Sequence, residues 1–341
     1  MHILLSFAIA KLTRWGKPTT LEEWVVQSFG WELYERFFKT YTEKVWGVSC
    51  NQIGAEWAAQ RIKGLHLLQA FKQSLFRTSR GPRTLGEQFY YPVLGAGQMY
   101  EAMRDRIVFQ GADLLLGSRV VGVHCQDHEI RSVDVLRPDS ELLRVTAKRF
   151  FTSIPITHFF TMLNPSEAVQ IQHAARSLYY REHVTVDLLI NDDELFPDQW
   201  IYIHSPDVQM ARVSNYNNFS SAMSGASHKT ALSVEYFTFQ NEPLWNQPDA
   251  WLKALAIDEL AYLGLLDKET VEQAWVVREA QAYPAYYLGF QAPYRLLQSR
   301  LREFTNLDSI GRGGMYKYES QDNATMSGIL AARNYLALPK K

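Results

Sequence analysis

The stretch that decides the fold lies near the end of the chain: Ile310-Gly311-Arg312-Gly313-Gly314-Met315-Tyr316-Lys317-Tyr318-Glu319-Ser320-Gln321-Asp322-Asn323-Ala324-Thr325-Met326-Ser327-Gly328. A short apolar strand over 307–310 runs into glycines and an arginine. Two tyrosines follow at a spacing of two, and Asp322 and Asn323 open a helix with Met326, Ile329 and Leu330 on one face. Small residues let a flat ligand approach the backbone. A helix start offers unpaired N–H groups and the positive end of a dipole to an anion, and a neighbouring arginine suits phosphate. The same pattern describes a surface turn ahead of a terminal helix, since glycine-rich turns are common connectors. From these residues alone the two readings stand level.

The whole chain, 341 residues with 47% apolar content, is long enough for a large core and two domains and is globular rather than disordered. A net charge of -1 leaves no electrostatic footprint for nucleic acid; the basic residues Arg77, Arg80 and Arg83 form the densest cluster. Two cysteines, Cys50 and Cys125, exclude a disulfide framework and point to a cytoplasmic location. No Cys/His spacing suggests a zinc site. Nine tryptophans and 18 tyrosines fit a deep pocket for a large ring system, and fit an ordinary large core nearly as well. The apolar run 3–10 lacks a leading positive charge and a small-residue cleavage site, so it reads as a helix of the fold rather than a signal peptide. No run reaches the ~18 apolar residues of a membrane span.

Residues 1–80 read as helices. Thr20 with Glu23 is a capping box; Leu21, Trp24, Val25 and Phe29 keep one face apolar, and Gly30 stands where the helix should end. Tyr34, Phe37, Phe38 and Tyr41 carry a second apolar face, and another helix is expected over 56–70. Between them, Lys39-Thr40-Tyr41-Thr42-Glu43-Lys44-Val45-Trp46-Gly47 mixes aromatics with charges, either as an amphipathic helix end or as an aromatic wall with polar handles. Residues 77–83 read as a loop. Gly95-x-Gly97 lacks a third glycine at position 100, and Pro92 spoils a preceding central strand, so a turn starting a helix over 99–106 explains it better than a dinucleotide fingerprint.

From 113 the period switches to two. Strands are expected over 114–116, 119–125, 130–136 and 142–151, then helices over 156–163 and 166–177. A second set of strands, 184–190, 200–204, 209–216 and 231–239, is joined by polar segments short enough for an antiparallel sheet. Asn246-Gln247-Pro248 begins a helix with Trp251, Leu252, Leu255 and Leu263 on its apolar face. A strand over 271–277, the aromatic loop Tyr283-Pro284-Ala285-Tyr286-Tyr287 and a helix over 293–303 lead back to the opening stretch.

No serine sits in a nucleophile elbow, and no glycine-rich loop ends in Lys-Ser/Thr. His66, His158 and His183 read as satisfied or exposed, and Asp192-Asp193 as a solvated turn. With no acid/base pair assignable, the composition favours chemistry carried by a cofactor.

At this point a resemblance becomes specific. The run 310–328 resembles the last flavin-contacting segment of the FAD-dependent amine oxidase superfamily, which includes protoporphyrinogen oxidase, carotenoid desaturases and UDP-galactopyranose mutase. Thr40-Tyr41-Thr42-Glu43-Lys44-Val45-Trp46-Gly47, preceded by Leu33-Tyr34-Glu35, is similar to the Tyr-Thr-x-Lys-x-Trp segment of the mutases, and Tyr91-Pro92 through Gly97 to their Pro-x-Gly-Gly turn. The resemblance implies an α+β (α/β) two-domain flavoprotein of the amine-oxidase type. Residues 1–90 would be the helical part of the substrate domain and 91–155 part of the FAD-binding domain. Residues 156–300 would hold the antiparallel sheet and helices of the substrate domain, and 301–341 the C-terminal FAD-binding segment. It also implies roles: Val120 bonding adenine through its backbone, Gly311 and Arg312 near a diphosphate, Asp322, Asn323, Ala324, Thr325 and Met326 beside the isoalloxazine, and Tyr41, Trp46, Tyr316 and Tyr318 lining the substrate side.

Two departures from the family pattern qualify this expectation. The family opens with a strand and Gly-x-Gly-x-x-Gly that holds ADP, and nothing like it occurs here. The expectation is therefore a chain truncated at the start of its FAD-binding domain or split, one with a mis-assigned start, or a degenerate paralogue; FAD binding by it alone is expected to be weak or absent, and the split form implies a separate N-terminal dinucleotide-binding polypeptide as a partner. The mutases also carry an arginine shortly after an Arg-Ile pair, where Leu65 follows Arg61-Ile62 here. The resulting expectation is an FAD-dependent oxidoreductase passing hydride from a small-molecule substrate to flavin N5. A UDP-galactopyranose mutase-like isomerase and a cofactor-free fragment or subunit of a split flavoprotein are the alternatives.

Overall fold

The computed structural model describes residues 2–13, 16–55, 89–193, 195–225 and 228–337. The expected helix over 56–70, the loop over 77–83, His66 and the Arg61-to-Leu65 departure lie outside the described residues. The chain forms two compact units, one from Met1–Arg106, His183–Glu279 and Tyr286–Leu288, the other from Ile107–Glu182, Ala280–Ala285 and Gly289–Lys341. This division differs from the four sequence segments: 156–182 and 289–300 group with 107–155 and 301–341, and 183–279 groups with the N-terminal helices.

In the first unit, α1 (His2–Leu12) precedes α2 (Leu21–Phe29). The capping box is formed: Glu23 N–H donates to Thr20 Oγ1 at 3.1 Å, and Glu23 Oε2 accepts from the backbone of Thr19 and Thr20. Leu21, Val25, Val26 and Phe29 are buried. Gly30 ends the helix with φ 85°, and a Cβ there would lie 2.8 Å from the backbone of Ser6 and Phe7, so both conformation and space demand glycine. The chain stays helical through α3 (Trp31–Leu33), a π-helical turn (Tyr34–Lys39) and α4 (Thr40–Trp46), which Gly47 closes in the left-handed region. The π turn offsets the helical period, so Tyr34 is buried while Phe37 is 54% exposed, not on a shared apolar face as the spacing predicts.

The main sheet of this unit has the order β10-β6-β9-β8-β7, with β6 Tyr180–Ile190, β7 Trp200–Tyr202, β8 Arg212–Asn215, β9 Thr230–Thr238 and β10 Val271–Pro284. The ladders β7–β8 and β8–β9 are antiparallel, as expected. Strand alternation makes the sheet two-faced. Val184, Val186, Leu188 and Ile190 of β6 join Val213, Leu232, Val234 and Tyr236 in a core with Leu252, Ala256 and Leu260 of the helix Asp249–Tyr262. Ser233, Glu235 and Arg212 carry the opposite, polar face. There Arg212 donates to both Glu235 oxygens (2.7 and 2.6 Å), His183 Nε2 lies 3.2 Å from Glu235 Oε2, and Ser233 Oγ donates to Asp187. Burial pushes Glu235 up, but His183 and Arg212 hold its carboxyl below the usual range.

α5 (Ala96–Phe109) starts at the turn of Gly95, as the turn-plus-helix pattern predicts, and has no buried residue. In the second unit a sheet of order β3-β2-β1-β5 is built from β1 Arg119–Gln126, β2 Glu129–Leu136, β3 Leu142–Thr146 and β5 Leu163–Asn164. The first three form an antiparallel meander, and β5 runs parallel to β1. Residues 114–116 are exposed and form no strand, and the run expected over 142–151 breaks in two. Its second half, β4 (Phe150–Thr152), leaves the meander and pairs in parallel with β11 (Leu307–Ser309). Arg149 anchors the switch by donating to Asp308 (2.9 and 2.6 Å) and to Thr305 O. The helices here are α6 Ile156–Thr161, α7 Val169–Ser177, α9 Gln291–Leu301, α10 Gly311–Gly314 and α11 Gln321–Tyr335, α8 being Asp249–Tyr262 of the first unit.

Across the meander Asp134 accepts from Arg144 (2.8 and 3.1 Å) and lies 2.6 Å from His124 Nε2. Those hydrogen bonds, Arg144 first, hold its carboxyl down to about 2. A depressed carboxylate stabilises the fold fully above the unfolded value of ~3.9 and loses that contribution as pH falls through the folded value. Urea midpoints of the wild type should therefore fall between neutral pH and about 2, and Asp134→Asn should flatten that limb and lower the neutral-pH midpoint.

Candidate functional site

β11 delivers the chain to Ile310 and α10, and close packing explains the glycines there. A Cβ on Gly314 would stand 2.6 Å from Ser309 Oγ and 2.8 Å from Thr152 O, and one on Gly313 would stand 3.0 Å from Ser153 O. Both glycines let α10 seat against the end of β4. Gly311, at φ 68°, donates its N–H to Ser327 Oγ of α11 at 2.8 Å, tying the two helices.

The two tyrosines part company. Tyr316 is 2% exposed, and its hydroxyl donates toward the carbonyls of Tyr179 and Ala285, each 2.9 Å away. Tyr180 meets its ring edge-on at 5.2 Å, and Tyr180 Oη donates to Gly313 O. Tyr294, 5.8 Å from the same ring, donates to Met315 O. Tyr316, expected on the substrate side, thus sits inside the second unit. Tyr318 is partly exposed and stacks on Tyr283 with ring centroids 5.4 Å apart.

The Arg312 guanidinium lies 4.6 Å from the Tyr283 ring and 5.7 Å from that of Tyr318. Its Nε and Nη2 donate to Glu319 O (3.0 and 2.6 Å), and Nη1 donates to Ala282 O (3.2 Å). Three of the five donors of an arginine are thereby used within the protein. The Glu319 side chain is buried, with Oε2 3.5 Å from Lys317 Nζ, and Oε1 has no hydrogen-bond partner among the described residues. Sequence reasoning named Tyr283 as part of an aromatic loop without giving it a role, and passed over the Glu319 side chain. Tyr283-Pro284 at the end of a strand was the available signal for the first; nothing marked the second.

α11 begins with Ser320 Oγ donating to Asp322, whose carboxyl that bond and the Asn323 N–H hold below the usual range. Asn323 is exposed, Ala324 and Thr325 are partly buried, and Met326, Ile329 and Leu330 are 49%, 44% and 48% exposed. The expected apolar face exists and is open. Val120 belongs to β1 of the same unit, in register with Val135.

Tyr41 and Trp46 belong to the first unit. Trp46 is buried at 3% exposure. Tyr41 packs edge-on to Tyr202 at 5.0 Å and tilted over His204 at 5.4 Å, with Phe37 6.3 Å from the same imidazole. Between these two aromatics of α4, Lys44 Nζ donates to the carbonyls of Ser205 (2.5 Å), Met210 (3.1 Å) and Ile203 (3.4 Å). Burial lowers its pKa, against the pull of Glu259 and Asp207. His204 Nδ1 is buried with no partner among the described residues, and burial, then the Lys44 charge, lowers its pKa. Neither Lys44 nor His204 was singled out by the sequence, because both act through loop carbonyls and rings remote in the chain.

The chain matches no protein-family model and no curated protein. Solved structures do match. A reduced UDP-galactopyranose mutase superposes with a TM-score of 0.83 at 18% identity, over 100% of this chain and 73% of that one. A protein from Exiguobacterium sp., provisionally named a protoporphyrinogen oxidase, matches with a TM-score of 0.69 at 13% identity, over 98% and 72%. A redesigned putrescine oxidase matches with a TM-score of 0.60 at 15% identity, over 98% and 74%. The chain therefore has the mixed α and β, two-domain fold of these flavoenzymes.

Two substitutions separate packing from ligand roles. Tyr316→Phe should remove the phenol donor from the Ala285 carbonyl and one of the two donors from the Tyr179 carbonyl, which also accepts from Ala285 N–H at 3.1 Å, and lower unfolding free energy by about 1–3 kcal/mol. Gly314→Ala should cost a similar ~1–3 kcal/mol through overpacking against Thr152. Denaturant unfolding of the purified chain checks both.

Proposed function

We propose that this chain works in an FAD-dependent oxidoreductase of the amine-oxidase superfamily, where hydride passes from a small-molecule substrate to flavin N5. The observation that carries the reading is the flavoenzyme fold over the full chain, combined with α11, which opens after Gly311-Arg312 with its apolar face exposed. Gly328 has only Ile310 Cδ1 within 4 Å of a would-be Cβ, at 3.9 Å, so the middle of that helix has room for a flat ring. The residues present fit the ring end of the cofactor. Asn323, Ala324, Thr325 and Met326 would border it, and among the described residues two N–H groups of Arg312 have no protein acceptor and could serve a phosphate. For the ADP end, the chain offers the backbone of Val120 and no glycine-rich phosphate loop. When bound, FAD supplies the hydride acceptor; the chain's own part is to position substrate and cofactor and to exclude water. The α11 dipole favours negative charge near Asn323, and the Asp322 carboxylate opposes it at the same end. Tyr318 and Tyr41 are the partly exposed aromatics of the expected substrate wall.

A second reading, an isomerase of the UDP-galactopyranose mutase kind, draws support from the higher TM-score of that match and from the Tyr41-to-Trp46 segment. Flavin fluorescence and turnover separate the readings. The chain alone should quench FAD weakly or not at all, and should bind it once a dinucleotide-binding unit is supplied. In that complex an organic amine or a porphyrinogen should bleach the flavin. Turnover of UDP-galactopyranose only after flavin reduction would establish the isomerase instead, and FAD-loaded complex inert to all of these would overturn both.

A further inference from the structure

α1 is apolar on nearly every side, yet Ala10 is its one buried residue. The inner side, Ile3, Ser6, Phe7 and Ala10, recurs at i, i+3, i+4 and i+7 and meets the rest of the first unit. Glu32 N–H donates to Ser6 Oγ at 3.1 Å, and Gly30 lies against the backbone of Ser6 and Phe7. The outer arc is Leu4, Leu5, Ala8, Ile9 and Leu12. Leu4 and Leu5 are each 60% exposed, Ile9 56% and Leu12 84%, so among the described residues nothing covers that arc. A helix apolar all round belongs in a core or at a lipid boundary.

Charge sets this face apart. Residues 1–20 carry Lys11, Arg14 and Lys17 and no Asp or Glu. Lys11 stands two turns from Leu4, at the rim of the arc, exposed and held by one hydrogen bond to Gln27 O at 3.0 Å. Lys17 is exposed as well. The acids of the elements packed on α1 are engaged: Glu22 accepts from Tyr34 Oη, Glu23 caps α2, and Glu32 pairs with Arg36. The other exposed apolar helices differ. α5 interleaves Met99 and Met103 with Glu101 and Asp105, and α11 opens on Asp322. A second copy seated on the α1 arc would bring like charges together with no acid to offset them.

We infer that the outer arc of α1 rests in the surface of an anionic lipid bilayer, with Leu5, Ile9 and Leu12 among the upper acyl chains and Lys11 and Lys17 at head-group phosphates. Basic residues beside an apolar helix face add electrostatic attraction to apolar burial. The 11 residues of α1 rise about 16 Å, roughly half of the ~30 Å hydrocarbon core, so the helix lies on the bilayer and does not cross it. Among the described residues no helix is long and apolar enough to span. The inference stands apart from the flavin reading and needs no cofactor.

The test is sedimentation of the full chain with vesicles. Phosphatidylcholine vesicles containing phosphatidylglycerol should bind it at least about tenfold more tightly than phosphatidylcholine alone, and ~1 M salt should remove that preference. Leu5→Ser with Ile9→Ser should abolish binding at unchanged circular dichroism, because both side chains are exposed. Met99→Ser with Met103→Ser, on α5, should leave binding as it was. Should the α1 serine pair unfold, Lys11→Gln with Lys17→Gln decides, since it keeps the apolar arc and should lose the preference for anionic vesicles. No binding to either vesicle, binding that survives the α1 serine pair, or an equal loss with the α5 pair would overturn the inference. So would a homodimer, seen by light scattering, that the α1 serine pair dissociates.

Discussion

One phenol ties three separate segments of the second unit to one point. The Tyr316 hydroxyl reaches the carbonyls of Tyr179, where β6 is about to begin, and Ala285, where β10 has just ended. These segments are more than a hundred residues apart in sequence, and the loop after α10 is pinned to both. Around that point Tyr180, Tyr294 and Phe290 pack on the ring. Two of these tyrosines return their own hydroxyls to the Gly313 and Met315 carbonyls. Buried backbone carbonyls need donors; here the tyrosine hydroxyls add to the backbone bonds from Ala285 N–H to Tyr179 O and from Tyr316 N–H to Gly313 O, around a turn where Tyr316 has φ 47°.

The same logic governs two cations: Arg312, expected near a diphosphate, and Lys44, to which no role was given. Arg312 spends three donors on the carbonyls of Glu319 and Ala282, and Lys44 spends its ammonium on three carbonyls of the 203–210 segment. Each fastens irregular backbone that would otherwise carry unsatisfied acceptors. Arg312 keeps N–H groups to spare between two tyrosine faces; Lys44 is drawn into protein on all sides its bonds record.

Local signals carried much of the fold. Thr20 and Glu23 announced α2, Gly30 its end, and the short polar connections of the second strand set an antiparallel sheet, found in the β7–β8 and β8–β9 ladders. What escaped was set by distant partners. The strand run over 142–151 has no internal mark of the break at Arg149, because Asp308 causes it. The π turn after Leu33 hides in an ordinary helical pattern. For the candidate site, the order of residues 310–328 was legible, and the side each residue faces was not: nothing between Tyr316 and Tyr318 says that one is buried and the other partly open.

The way the units are threaded bears on how the chain is made. Residues 107–182 of the second unit wait for 280–285 and 289–341, and the first unit waits for Tyr286–Leu288. β10, an end strand of the five-stranded sheet, is the last of its five strands in chain order. The first unit cannot close until β10 and Tyr286–Leu288 have been made, so the apolar face of β6 and β9 leaves the exit tunnel uncompleted. Transiently exposed apolar surface and unpaired strand edges of that kind are aggregation-prone during synthesis.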